Sequence, residues 1–419
     1  MLKGNAVYAQ SGGVTSVINA SAYGVITEAI KAEFIENIYG GFQGINGILD
    51  EKLIDFQQEL PSVIDALRYT PAAALGSCRK KLPDLETHRS EYERIIQVFE
   101  AHHIRYFFYN GGNDSMDTAY KVSHVAEKMG YDLISIGIPK TVDNDLPITD
   151  NSPGYGSVAK YNAISILEGG LDVASMYRDS TKVFVMETMG RETGWIVAAT
   201  ALARKHPDDP PHIILLPEVP FHKEKFLAKV EETVRKKGYC VVAVSEGIKN
   251  EQGHVLSEGG SIDPFGHTQL GGVVTIIQAL LKKELNLKTH GALLDYCQRS
   301  GRHIASRVDV EQAIACGQHA IRLAEQGLNG QMVTLVRESD DPYVWTLGYT
   351  DAGNIANHEK PLPADYLSQD GFDVTEKFIR YARPLIVGED YPPYADGVPQ
   401  YGRLKSELLK PKLNPFSKK

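Results

Sequence analysis

The sequence predicts an α/β fold in two lobes with mainly parallel sheets, and three observations carry that prediction. Short apolar runs recur along the chain, and the stretches between them carry helical periodicity. The third is size: 419 residues, 42% hydrophobic and 23% charged, lie in the globular range and suffice for one large or two medium cores.

The apolar runs are Ala6 to Ala9, Tyr106 to Tyr109, Leu133 to Ile138, Val183 to Met186, Ile213 to Leu216 and Cys240 to Val244. Runs of this length without polar alternation read as strands buried on both faces, and helices between them imply parallel βαβ construction. Between Gly156 and Gly170, Val158, Tyr161, Ile164, Ile166 and Leu167 stand at helical spacing in a segment that can join two lobes. A boundary near Asp150 divides residues 1–150 from 151–299. Residues 300–330 are expected to complete the first lobe and 331–383 the second. From Pro384 the prolines Pro392, Pro393, Pro399, Pro411 and Pro415 predict an extended tail over 384–419 that wraps the surface or a partner subunit.

A net charge of -9 without clustered basic residues argues against a nucleic-acid surface. Cys78, Cys240, Cys297 and Cys316 show neither CxxC pairing nor histidines at zinc-ligand spacing, as expected of reduced thiols in a cytoplasm. The N-terminus lacks the pattern of an export signal, and no apolar stretch approaches the roughly 20 residues that cross a bilayer. A soluble, cytoplasmic protein without a membrane partner is expected.

In open parallel sheets ligands gather beyond the carboxyl ends of the strands, so the loops after the apolar runs are where chemistry belongs. After the first run come Gly12 and Gly13, a turn that lets backbone N–H groups approach a phosphate at a helix start; a plain tight turn is the alternative. After Tyr109 come Gly111, Gly112, Asn113, Asp114 and Ser115, then a helix starting near Met116. Glycines joined by a carboxylate and an amide suit metal-bound phosphate; an Asp or Ser helix cap is the alternative, but capping alone would not require Gly-Gly before it. After Ile138 come Lys140, Thr141, Val142, Asp143 and Asp145, which supply a cation, a hydroxyl, a general base and a metal ligand in one loop. Further on, Met189-Gly190-Arg191, Ser245-Glu246-Gly247 and Tyr296 to Arg299 each place polar groups able to grip a phosphorylated sugar.

In this order the GG turn, the GG-N-D loop, P-x-T-x-D-N-D, MGR, SEG and QR-x-G resemble the phosphofructokinase family over roughly residues 5–330. The resemblance implies two Rossmann-like three-layer α/β/α lobes: a donor lobe (1–150) and a sugar-phosphate lobe (151–299). It implies magnesium-dependent transfer of a phosphoryl group to fructose 6-phosphate. Asp143 matches the base for the sugar 1-hydroxyl, with Thr141 and Val142 beside it; Asp145 and Asn113 match the magnesium-binding positions. Met189, Gly190, Arg191 and Glu246 match sugar and transition-state contacts, and Tyr296 and Arg299 the contacts to the 6-phosphate. Lys182 and His290 fall where the family places arginines that reach the sugar phosphate of a neighbouring subunit, which implies a homo-oligomer, a dimer first. Gly12, Gly13, Arg79, Gly112, Asn113, Asp114, Ser115 and Lys140 match the donor side.

Asp114 and Lys140 stand where ATP-using members have glycines, and this pair, with Ala352 to Asn357, Leu362 and Pro363, resembles the pyrophosphate-using branch. A carboxylate at Asp114 would meet the α-phosphate of a nucleotide, and Lys140 would supply a cation to the phosphate leaving pyrophosphate. Asn113 replaces the usual aspartate and His290 the usual arginine. Tyr23 and Thr27 stand near the effector-site arginines of bacterial ATP enzymes, so little regulation by nucleotides is expected. The runner-up reading keeps the sugar and takes ATP; a third is a non-catalytic, sugar-phosphate-sensing subunit.

Overall fold

The computed structural model of the chain describes residues 2–83, 89–257 and 272–416. In the first lobe the order is β1 (Gly4–Gln10), α1 (Ile18–Ala29), β2 (Ile35–Gly41), α2 (Gly44–Leu49), β3 (Leu53–Asp55), α3 (Pro61–Leu67), α4 (Arg89–Ala101), β4 (Ile104–Gly111), α5 (Asn113–Lys128) and β5 (Ile134–Pro139). The long α6 (Tyr155–Met176) leads into the second lobe. That lobe has β6 (Val183–Thr188), α7 (Trp195–Ala198), β7 (Ile213–Leu215), α8 (Lys223–Lys237), β8 (Cys240–Ser245), α9 (Val273–Leu285), β9 (Thr289–Leu293) and α10 (Tyr296–Ser300). The chain then returns to the first lobe through α11 (Arg307–Glu325), β10 (Gln331–Asp340) and β11 (Tyr343–Asp351). α12 (Glu376–Ala382) follows against the second-lobe core, and β12 (Tyr394–Ala395) with β13 (Val398–Pro399) forms a small hairpin in the tail.

The first sheet runs β11-β10-β5-β4-β1-β2-β3, parallel in the middle with antiparallel edges at β11 and β3. The second, β7-β8-β6-β9, is parallel throughout. The six apolar runs are strands of these sheets because both sheet faces are covered. In β1, Ala6 and Tyr8 enter one core with α1 and α11, while Val7 and Ala9 enter the opposite core with α4 and α5. The period-2 alternation thus runs apolar on both sides.

Two expectations are corrected. Gln331–Asp351 does not complete the second lobe: β10 pairs with β5, extending the first sheet. α5 starts at Asn113, not near Met116. Gly112, extended at φ -87° and ψ -160°, is its N-cap, and its carbonyl accepts from both Ser115 and Met116 N–H. The tail folds back on its own first lobe, where Leu408 bridges Ile54 and Glu51 accepts from the backbone N–H groups of Lys412 and Leu413. Among the described residues no helix is long and apolar enough to cross a membrane.

Candidate active site

Strand register brings the loops together. Gln10 pairs with Asn110, Asn110 with Ile138, and Gly111 with Pro139, so the three first-lobe loops leave the sheet at one level. In the second sheet Thr188 pairs with Ser245 and Glu187 with Leu293. The two carboxyl edges face one another across a cleft of about 960 Å³ lined by residues of both lobes. A smaller cavity of about 310 Å³, between the end of β7 and residues 367–372, is lined mainly by apolar side chains and holds none of these loops.

At the donor end Lys140 is only 3% exposed, and its Nζ donates to the Gly13 carbonyl. A Cβ on Gly13 would stand 3.3 Å from Arg299 Nη1 and 3.6 Å from Arg79 Nη2, so the bare backbone there leaves room between two guanidinium groups. Burial first, then Arg299 and Arg79, push Lys140 down to about 7, against the pull of Asp143 and Asp145. Burial, then Asp145 and Glu246, push Asp143 up to about 7, opposed by Lys140 and Arg191. The cleft therefore holds a half-buried acid and a buried cation, both shifted toward neutrality.

Around Asp143, its own N–H donates to Thr141 Oγ1 at 3.1 Å, and Thr193 Oγ1 donates to its carbonyl at 3.3 Å. Val142 packs against the second-lobe core. From the other lobe, Gly190 N–H donates to Glu246 Oε1 at 3.3 Å and Met189 N–H to Gln298 Oε1 at 3.2 Å. Glu246 is raised mainly by burial. Gly247 must be bare, since a Cβ there would lie 1.9 Å from the Arg191 carbonyl oxygen. Arg191 keeps a buried Nε without a partner.

The structure divides the remaining expected residues. Gly12, Gly112, Asp114 and Ser115 line the cleft, and Asp114 Oδ1 lies 3.2 Å from Lys81 Nζ. Arg299, expected with Tyr296 at the sugar phosphate, stacks over the Tyr296 ring at 3.9 Å and extends to the Gly13 end of the cleft. Lys182 and His290 are not brought into the cleft: Lys182 Nζ donates to the carbonyls of Tyr177 and Arg178, and His290 is exposed on edge strand β9.

For a metal, the open atom is Asp145 Oδ1, buried and without a partner. Asn113 Oδ1 accepts from Asp114 N–H at 2.8 Å within its own helix turn. Among the described residues no group of three or more His, Cys, Asp or Glu side chains gathers to hold an ion. This donor set fits magnesium carried mainly by phosphate oxygens and water, which needs only one or two protein oxygens.

Sequence reasoning missed Glu187, Thr188, Glu192, Thr193, Asp295 and Glu359, all of which line the cleft. Glu187 and Thr188 end a strand already recognised, a position that marks them. Glu359 comes from beyond β11 and reaches the cleft through tertiary folding, for which the sequence carries no local signal.

A family model described as phosphofructokinase matches residues 5–324. A Halomonas elongata protein named pyrophosphate--fructose 6-phosphate 1-phosphotransferase is 54% identical over 99% of this chain and 100% of its own length. One of the same name from Methylococcus capsulatus is 53% identical over 98% of each. A crystal structure of a pyrophosphate-dependent phosphofructokinase from Nitrosospira multiformis superposes with a TM-score of 0.91 at 52% identity, covering 99% of this chain and 100% of that one.

Proposed function

The chain belongs to the phosphofructokinase family, and on that footing we propose that it transfers a phosphoryl group from pyrophosphate to the 1-hydroxyl of fructose 6-phosphate, giving fructose 1,6-bisphosphate and phosphate. The observation that carries this reading is the buried Lys140 at the Gly12-Gly13 turn, in the same loop as the half-buried Asp143. A cation at the donor end and a base at the sugar end are what in-line transfer requires.

Asp143, ionised, takes the proton of the 1-hydroxyl as its oxygen attacks the near phosphorus of pyrophosphate. The bridging P–O bond breaks, and its electron pair leaves on the far phosphate. Lys140, Arg79 and the Gly13 backbone receive that charge. Glu246 accepts sugar hydroxyls and Arg191 meets the equatorial oxygens of the transferring group. Asp145 would hold magnesium, which when bound neutralises phosphate charge and orients the donor. Asp114 stands where the α-phosphate of ATP would go, which disfavours a nucleotide donor. We assign the reaction to the cytoplasm, and the shared sugar-phosphate site to a dimer in which Lys182 and His290 serve the partner's cleft.

The test is product analysis: purified protein, fructose 6-phosphate, magnesium and pyrophosphate should yield fructose 1,6-bisphosphate and phosphate in equal amounts. Binding of the sugar without product would instead support a non-catalytic sensor.

A further inference from the structure

The family model ends at residue 324, yet the cleft wall includes Glu359. After β11 the chain turns through Ala352–Asn354 and reaches Asn357, whose φ of 60° is the left-handed conformation that asparagine tolerates better than most residues. This turn is stitched to the first lobe at the donor end. Asn357 Oδ1 accepts from Lys81 Nζ at 2.6 Å, and its Nδ2 donates to Asp117 Oδ1 at 3.2 Å. The same Lys81 Nζ lies 3.2 Å from Asp114 Oδ1, Lys81 being the more exposed partner of the pair. The His358 carbonyl accepts from Asn113 Nδ2 at 3.5 Å.

Two consequences follow. The Lys81 ammonium offsets much of the negative charge of Asp114, so charge is a weak barrier to a nucleotide α-phosphate. A nucleoside attached to that phosphate would have to leave past the first turn of α5, where Lys81 and Asn357 join and Glu359 adds a second carboxylate. Glu359 is raised by burial and then by Asp145, Glu192 and Asp114, acids that line the same cleft.

We propose that the Lys81–Asn357 bridge closes the donor site just beyond pyrophosphate and determines donor specificity together with the volume of Asp114. The proposal rests on the pyrophosphate reading above. It makes residues 352–360, outside the matched family region, a specificity element of the site.

The test measures kcat/KM for pyrophosphate and for ATP, and binding of a non-hydrolysable ATP analogue, in five proteins. These are the wild type, Asp114→Asn, Asp114→Gly, and Asp114→Gly combined with either Lys81→Ala or Asn357→Ala. Asp114→Asn removes the charge and keeps the volume, so it should still reject ATP. Asp114→Gly should use ATP weakly, and either double variant should use it at least about tenfold better. Cutting the bridge from both ends guards against a folding defect in one variant, and thermal melts identify such a defect. The proposal is overturned if Asp114→Asn gains ATP use equal to Asp114→Gly, or if neither folded double variant exceeds Asp114→Gly. A wild type without pyrophosphate turnover would instead remove the reading on which the proposal rests, an outcome distinct from both.

Discussion

Asp143 and Lys140 carry opposite charges within one largely buried loop, and desolvation works against both. Asp143 must be ionised to act as base; raised to about 7, it loses that form as pH falls below neutrality. Lys140 must be protonated to receive the leaving charge; lowered to about 7, it loses that form as pH rises above neutrality. The expected kcat/KM profile is a narrow bell centred near neutral pH, whose two apparent values belong to the coupled loop rather than to single residues. Lys140→Met should remove the alkaline limb, and a profile flat from about pH 6 to 8 would contradict the assignment. Asp143→Asn should lower kcat by roughly 10²- to 10⁴-fold with little change in the KM for the sugar, as steady-state kinetics can check. These residues were legible in the sequence because Lys140, Thr141, Asp143 and Asp145 share one short loop after a recognisable strand. Glu359 was not, since it comes from beyond β11 and only folding sets it beside the cleft.

The helices and strands differ in legibility for a related reason. β1, β4, β5, β6, β7 and β8 are buried on both faces and so read as unbroken apolar runs. β9 is an edge strand with exposed positions at His290, Gly291 and Leu293, and the β10–β11 hairpin alternates toward solvent over much of its length. Their mixed composition hid them, which is why residues 331–351 were expected in the wrong lobe. The joint between lobes rests on a polar device that no apolar pattern shows. Asp309, on α11 and fully buried, accepts from Gly154 and Ser157 N–H at 2.9 Å each, capping α6 with both carboxylate oxygens. Asp309→Ala should cost about 2 to 4 kcal/mol in denaturant unfolding, because it strands two buried N–H donors at the start of the helix that links the lobes. A loss under about 0.5 kcal/mol would mean that the cap is replaceable.

The molecule as a whole sets the carboxyl ends of two mainly parallel sheets across one cleft, which draws donor groups from the first and sugar groups from the second. Lys182 and His290 stand apart from that cleft beside exposed strand β9, a placement suited to a neighbour's site. If the assembly shares sites in this way, a mixture of Lys182→Ala and Asp143→Ala chains refolded together should recover activity that neither variant has alone. An active monomer in light scattering would exclude the arrangement. The broad architecture and most of the cleft could be read from strand-end motifs, and residues 300–330 were expected in the first lobe, where α11 packs; that residues 331–351 stay in that lobe could not be read, because it depends on long-range pairing of β10 with β5. The central claim is that pyrophosphate, not ATP, is the donor. Steady-state kcat/KM for the two donors on the wild-type protein, at saturating fructose 6-phosphate and magnesium, tests it most directly. Rapid turnover with pyrophosphate and at least about a thousandfold less with ATP is the predicted result, whereas comparable use of both donors would contradict it.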